Sequence, residues 1–332
     1  MRLKTAMKIF VPAVGLIILF LLLSGMPRKY FKQKSSLDLK SSMGGIEKND
    51  FMPILAKIEE DVQKEIDKKD VKDIALYYED LNSGDWIGIN KDEKFNLASL
   101  VKVPLMMECL ESVESHPGLL KKRLLFTGDK DWTSQQNIKP MKSLELGKSY
   151  SLEEIMFRMI AYSDNNSMSM LLDEFPADRL DHYLTEHKID YEEAPDGFKM
   201  SLGTYSWFFE NLYYKSLHND TMARKALSYL AAEDFPQGMH AAVPASIVVE
   251  SKFGEKILKD ENGNVKSVQL HEVGIVLDGN HPFLLGIMTS GKDLTKLEKV
   301  IQNITKDIYE EIEHAANHLP NKMNCMHSQC HA

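Results

Sequence analysis

Cysteine is scarce, with three in 332 residues, so a disulfide framework does not organise the chain. A basic excess is also missing: 40 Lys and Arg stand against 49 Asp and Glu, a formal net charge of -9. General nucleic-acid binding, which needs a positive field to collect phosphates, is therefore excluded. The chain has no Gly-rich phosphate loop, no internal repeat and no low-complexity block after its first 45 residues, which excludes solenoids and arrays. What is present is ordinary globular composition, 43% hydrophobic and 27% charged, enough for one large domain or two modest ones.

One long apolar run stands apart. From Ile9 to Pro27 the chain reads "IFVPAVGLIILFLLLSGMP" without a charge, and Arg2, Lys4 and Lys8 precede it. It roughly matches the ~20 residues of a bilayer-spanning helix. "LLLSGMP" is a poor cleavage site, so residues 1–29 read as a cytoplasmic stub and an uncleaved anchor rather than a signal peptide. Arg28, Lys29, Lys32 and Lys34 follow the run and blunt the charge asymmetry that would orient it. Residues 30–45 are Lys- and Ser-rich and end in "SSMGG", a tether. A folded domain is expected over 46–320. The tail 321–332 carries Cys325, His327, Cys330 and His331; these are metal-ligand types, but the polar setting favours a frayed terminus. No metal or other cofactor is expected.

Five segments read as strands. "DIALYYEDL" (73–81) and "WIGINKD" (86–92) flank the turn "NSGD" as a hairpin; 246–254, 267–279 and 282–291 form a later meander. Helical periodicity covers Phe51 to Lys68, Asp293 to Asn317 and several segments between Leu97 and Ala232. The expectation is an α/β fold: a five-stranded antiparallel sheet split in sequence, terminal helices packed on it and an inserted all-helical lobe, with a cleft between.

Within "FNLASLVKVPLMMECL" (95–110) Lys102 is set among apolar side chains. A buried ammonium is costly unless it is paired or loses its proton. Ser99 lies three residues before it, one helical turn away on the same face, and Pro104 places both near a helix start. A desolvated Lys102 has a lowered pKa and can take the Ser99 proton; taken alone, the segment reads better as a core helix with a snorkelling lysine. Ser163, Asp164 and Asn165 fall between two amphipathic segments, where the bland reading is a helix cap. "ESKFGE" places Lys252 and Gly254 at the end of a strand, where the bland reading is a charged edge.

Together, in this order and context, Ser99–Lys102, Ser163–Asp164–Asn165 and Lys252–Gly254 resemble the class A β-lactamase-like serine hydrolases, kin of penicillin-binding D-alanyl-D-alanine peptidases, over about Val71 to Gly291. The resemblance implies that Ser99 is a nucleophile forming an acyl-enzyme and Lys102 its proton acceptor. Ser163 would pass a proton to the leaving nitrogen, helped by Lys252, whose charge attracts a substrate carboxylate. Asn165 would bind the substrate's amide side chain, Gly254 would let substrate lie along the strand, and the N–H groups of Ser99 and Glu255 would form an oxyanion hole. Asp164 would buttress the loop. The substrate implied is a β-lactam or a cell-wall peptide, met by a monomer held at the membrane with its catalytic domain outside the cytoplasm.

Two departures from the family pattern stand out. The long loop bearing Glu-x-x-Leu-Asn, whose glutamate activates the deacylating water, is absent between Asp178 and Trp207. Glu192 and Glu193 are the candidates to replace it, against the reading of solvated loop charges, and without a base deacylation is expected to be slow. Phe253 stands where a carboxylate-binding hydroxyl is usual, and Glu255 adds an anionic side chain beside the site. A different amide or ester hydrolase, such as a glutaminase-like enzyme, and a non-catalytic cell-wall binding module are the competing readings.

Overall fold

The computed structural model describes residues 48–318 apart from Asp70, Asp196, Asn219 and Asn280. The apolar run 9–27, the tether 30–45 and the tail 321–332 lie outside the described residues. Among those described, no helix is long and apolar enough to cross a membrane.

Helix α1 (Lys48–Asp67) precedes strands β1 (Val71–Asp80) and β2 (Trp86–Ile89), and β3 (Lys94–Asn96) leads to the 3₁₀ turn Ala98–Val101 and helix α2 (Lys102–Ser115). Strands β4 (Arg123–Leu125) and β5 (Ser149–Ser151) come next, followed by α3 (Leu152–Ala161), α4 (Asn165–Glu174), α5 (Ala177–Glu186), β6 (Glu192–Ala194), β7 (Gly197–Ser201), α6 (Leu202–Leu217) and α7 (Thr221–Leu230). The chain closes with β8 (Val248–Lys259), β9 (Val265–Leu277), β10 (Phe283–Gly291) and α8 (Leu294–His318).

Strands β1, β2, β8, β9 and β10 form one antiparallel sheet in the order β2-β1-β10-β9-β8. Its two faces sort by strand alternation. From β1, Ala75 and Tyr77 join the core shared with α2, α3 and α6, while Ile74, Leu76 and Tyr78 join Val62 of α1 and Ile301, Ile304 and Ile308 of α8. Because both faces are covered, β10 is buried along its whole length, and its first six residues, Phe283 to Met288, carry no polar side chain.

The inserted lobe is not all-helical. Strands β4 and β5 pair within it, and β6 and β7 form a hairpin that joins β3 in a three-stranded sheet. These strands are only three to five residues long, too short for a period-two pattern to stand out from loop sequence. The hairpin occupies the stretch in which the long Glu-bearing loop was missed. Strand β8 also runs on to Lys259, so Lys252 and Gly254 sit in mid-strand rather than at its end.

Candidate active site

Ser99 lies in the 3₁₀ turn immediately before α2, and Lys102 is the first residue of that helix. The turn is held from several sides. The Ala98 N–H donates to Asn96 Oδ1 at 3.0 Å, and Tyr205 Oη–H donates to the Leu100 carbonyl at 2.8 Å. His271 of β9 donates from Nε2 to the Asn96 carbonyl at 3.0 Å and accepts the Thr289 N–H on Nδ1 at 3.2 Å. Burial pulls the His271 pKa down to about 4, so the ring stays neutral and keeps that tautomer. Two residues of the site are in left-handed backbone, Ala98 (φ 47°) and Ser163 (φ 51°). Each costs of order 1–3 kcal/mol that the surrounding bonds must hold.

The Ser-Asp-Asn segment breaks the chain between α3 and α4. Asp164 is the N-cap of α4, accepting from the N–H groups of Asn166 and Ser167 and from the hydroxyls of Ser143 (2.7 Å) and Ser167 (2.5 Å). Its buttressing place is the expected one. Ser163 and Asn165 flank it and turn towards Lys102.

Around Lys102 the geometry is specific. Its Nζ lies 2.6 Å from the Ser163 carbonyl, 2.7 Å from Asn165 Oδ1, 3.2 Å from Ser99 Oγ and 3.2 Å from Ser163 Oγ. The side chain is 1% exposed. Burial, and then the charge of Lys252, hold its pKa well below the ordinary lysine value, against the pull of Asp164, Glu255 and Glu233. As a neutral amine Lys102 has two N–H donors and one lone pair. The two nearest oxygens are an amide and a peptide carbonyl, which accept only, so they take the donors. The lone pair is left for a hydroxyl, that of Ser99 or Ser163.

On the other wall Lys252 is fully buried, and its Nζ donates to Glu233 Oε1 at 2.5 Å rather than to any predicted site residue. The Phe253 N–H donates to the same oxygen at 2.8 Å, and Ser251 Oγ joins Glu233 to Glu272 at 2.9 and 3.0 Å. Burial lowers the Lys252 pKa in spite of Glu233. Burial, with the charge of Glu233 nearby, pushes the Glu272 carboxyl up to about 8. The partner of the Lys252 ammonium is thus Glu233. No sequence signal marked that residue, the first of two adjacent acids, Glu233 and Asp234, just beyond α7.

Strand β8 is a sheet edge. Since Phe253 sends its N–H off the ladder to Glu233, the two-residue repeat aims the Glu255 N–H off the same edge. At Gly254 a Cβ would stand 2.8 Å from the Leu97 carbonyl and 3.1 Å from the Leu100 N. The glycine lets β8 pack against the turn that carries Ser99. Phe253 stacks on Phe235 with ring centroids 4.3 Å apart and is 3% exposed, so it supplies an apolar floor in place of a hydroxyl. Glu255 reaches the facing loop and accepts from Asn137 N (3.0 Å), Asn137 Nδ2 (2.9 Å) and Ile138 N (3.2 Å).

That loop was not anticipated. Gln136 donates from Nε2 to the Ser163 carbonyl at 3.0 Å and accepts the Asn165 N–H on Oε1 at 3.1 Å. The segment "WTSQQNIKP" has no periodicity to announce it. Ser99, Ser163 and Asn165 on one wall, Phe253 and Glu255 on the other, and Gln136 among the loop residues line a cavity of about 160 Å³. Glu192 is exposed and Glu193 half-buried on the β6–β7 hairpin; neither lines this cavity. Among the described residues no cluster of His, Cys, Asp and Glu could hold a metal ion.

A model of the beta-lactamase enzyme family matches residues 57–312. No curated protein matches the chain. Among solved structures, a class A beta-lactamase from Mycobacterium abscessus superposes with a TM-score of 0.66 at 19% identity, covering 77% of this chain and 99% of its own. A beta-lactamase from Chitinophaga pinensis gives 0.65 at 17%, covering 77% and 99%. An acyl-enzyme complex of a PBP-A mutant with penicillin G gives 0.64 at 16%, covering 78% and 97%. At these identities the likeness shows a shared fold.

Proposed function

The chain belongs to the beta-lactamase enzyme family, and from that premise we propose that it is a serine hydrolase whose nucleophile is Ser99, acylated by a β-lactam or a peptidoglycan-like amide. The observation that carries this reading is the ring of oxygens around Lys102 Nζ. Two carbonyl-type acceptors occupy the donors of the amine, and its lone pair faces the serine hydroxyls. Ser99 Oγ bonds to the substrate carbonyl carbon as the C–N bond breaks; the Ser99 proton passes to Lys102, and Ser163 delivers a proton to the leaving nitrogen. The N–H groups of Ser99 and Glu255 stabilise the oxyanion. In a β-lactam the nitrogen stays tethered, so the protein gains the whole mass of the molecule.

Slow deacylation belongs to the same proposal. Glu255 is the only carboxylate among the lining residues described, and three N–H donors already engage its oxygens. Glu192 and Glu193 are away from the cavity lining. We also place the domain over 46–320 as a monomer outside the cytoplasm, held to the membrane by residues 9–27 through the tether 30–45. The span of the family match and the charge-free run support that arrangement.

The test is intact-mass spectrometry of the full chain, in detergent, after exposure to a monocyclic β-lactam that carries a carboxamide in place of a carboxylate. One adduct of full substrate mass is expected on wild type, long-lived on the minutes scale and absent from Ser99→Ala. Equal labelling of both proteins, or none of the wild type by any acyl donor, ends the reading.

A further inference from the structure

Two side chains of the cleft reach across it. Gln136 grips the Ser163–Asn165 segment, and its neighbour Asn137, together with Ile138, is gripped by Glu255 of β8. The two walls are therefore joined through the loop 136–138, which a carboxylate anchors on the strand side. The cavity behind that link, about 160 Å³, is smaller than the roughly 300–1,000 Å³ of ordinary small-molecule sites. A substrate large enough to lie between the walls has to displace the donors on Glu255, and whatever group replaces them inherits two carboxylate oxygens.

The charges nearby decide what that group can be. Lys102 is 1% exposed and surrounded by oxygens of the lobe. Lys252 is fully buried against Glu233. Lys256, which also lines the cavity, is half-buried and already engaged. Residue 253 offers a phenyl ring stacked on Phe235 instead of a hydroxyl. An incoming carboxylate would meet Glu255 at the cost of its three donors and gain no cation that is not already committed. A carboxamide or an ammonium restores what Asn137 and Ile138 give up.

Resting on the reading that Ser99 is acylated, we propose that Glu255 sets the specificity of this cleft: it admits acyl donors that present N–H groups, as a carboxamide or an ammonium, at the strand wall, and it rejects those that present a carboxylate there. The rejection has two sources, like charge and the loss of donors from a carboxylate.

Three monocyclic β-lactams that differ only in one substituent, a carboxylate, a primary carboxamide or an aminoethyl amide, test this on the full chain. The readout is the second-order rate of adduct formation at Ser99 by intact mass, with a neutral alkyl fluorophosphonate, from whose phosphorus Ser99 Oγ displaces fluoride into solvent, reporting competence of the nucleophile. The carboxamide and ammonium forms are expected to acylate at least about tenfold faster than the carboxylate, and Glu255→Gln to narrow that ratio to within about threefold. Phosphonate labelling with equal or faster acylation by the carboxylate would overturn the specificity and leave Ser99 acylation standing. A preference that survives Glu255→Gln would overturn the assignment to Glu255. No labelling by any of the four probes would remove both this proposal and the acylation beneath it.

Discussion

On the lobe side of the cleft Lys102 meets four oxygens, none of them a carboxylate, while on the strand side Lys252 meets the Glu233 carboxylate at 2.5 Å. Both lysines are out of water and both have lowered pKa values. Desolvation dominates each; Glu233 opposes it directly at Lys252, whereas at Lys102 the second-largest influence is the repulsion of Lys252 itself. A buried lysine without an ionic partner is suited to accept a proton. One clamped to a carboxylate holds a strand in place and shapes the field around its neighbour. Under the proposed mechanism the same residue type serves two tasks, assigned by its partners.

The comparison breaks most sharply at Lys102. Replacing it with methionine keeps the bulk and removes the lone pair, and acylation of Ser99 is expected to fall by about 10³–10⁴-fold in stopped-flow or mass kinetics. A fall below tenfold would assign the proton to another group. On the strand side Glu233→Ala leaves an uncompensated charge at Lys252, with an expected loss of about 3–5 kcal/mol in denaturant unfolding. Little loss there would mean that Lys252 rests neutral.

Gly254→Ala tests the seam between the two sides. Its Cβ would press the Leu97 carbonyl and Leu100 N, so stability should drop by about 1–3 kcal/mol, with acylation impaired because Ser99 moves. An unchanged acylation rate would show that the turn does not depend on this contact. A pH test falls on Glu272, whose carboxyl is pushed up to about 8 by burial when folded, against a reference value of 4.5. The folded state binds the extra proton, so stability falls as pH rises from about 4.5 to about 8, by up to about 1.4 kcal/mol per pH unit. Glu272→Gln, which mimics the protonated group, should flatten that fall; parallel pH profiles of melting temperature would refute it.

Much of the architecture was legible because it is periodic. The hairpin β1–β2, the meander β8–β9–β10 and the helices α1 and α8 follow from alternation, helical spacing and the turns between them. The β6–β7 hairpin and the β4–β5 pair were not legible, because their strands of three to five residues carry no readable period and, unlike the four-residue β2 beside the ten-residue β1, pair with no long strand. In the site, Ser99 and Lys102 could be read as a pair from their spacing, and Asp164 as a cap from its type. Phe253 was visible as a departure, though not as one face of an aromatic stack with Phe235.

The chain's sequence by itself determined what lies within one helical turn or one strand repeat. Ser99 stands over Lys102, the Ser-Asp-Asn segment separates two helices, and Lys252 and Gly254 share one strand, since backbone geometry sets those relations whatever the rest of the protein does. Only the tertiary structure decided the partners. Glu233 and Lys252 are 19 residues apart, and Asn137 and Glu255 are 118 apart. Such pairs are chosen by which faces the core brings together and which buried charges must then be met; neither choice is written in local spacing.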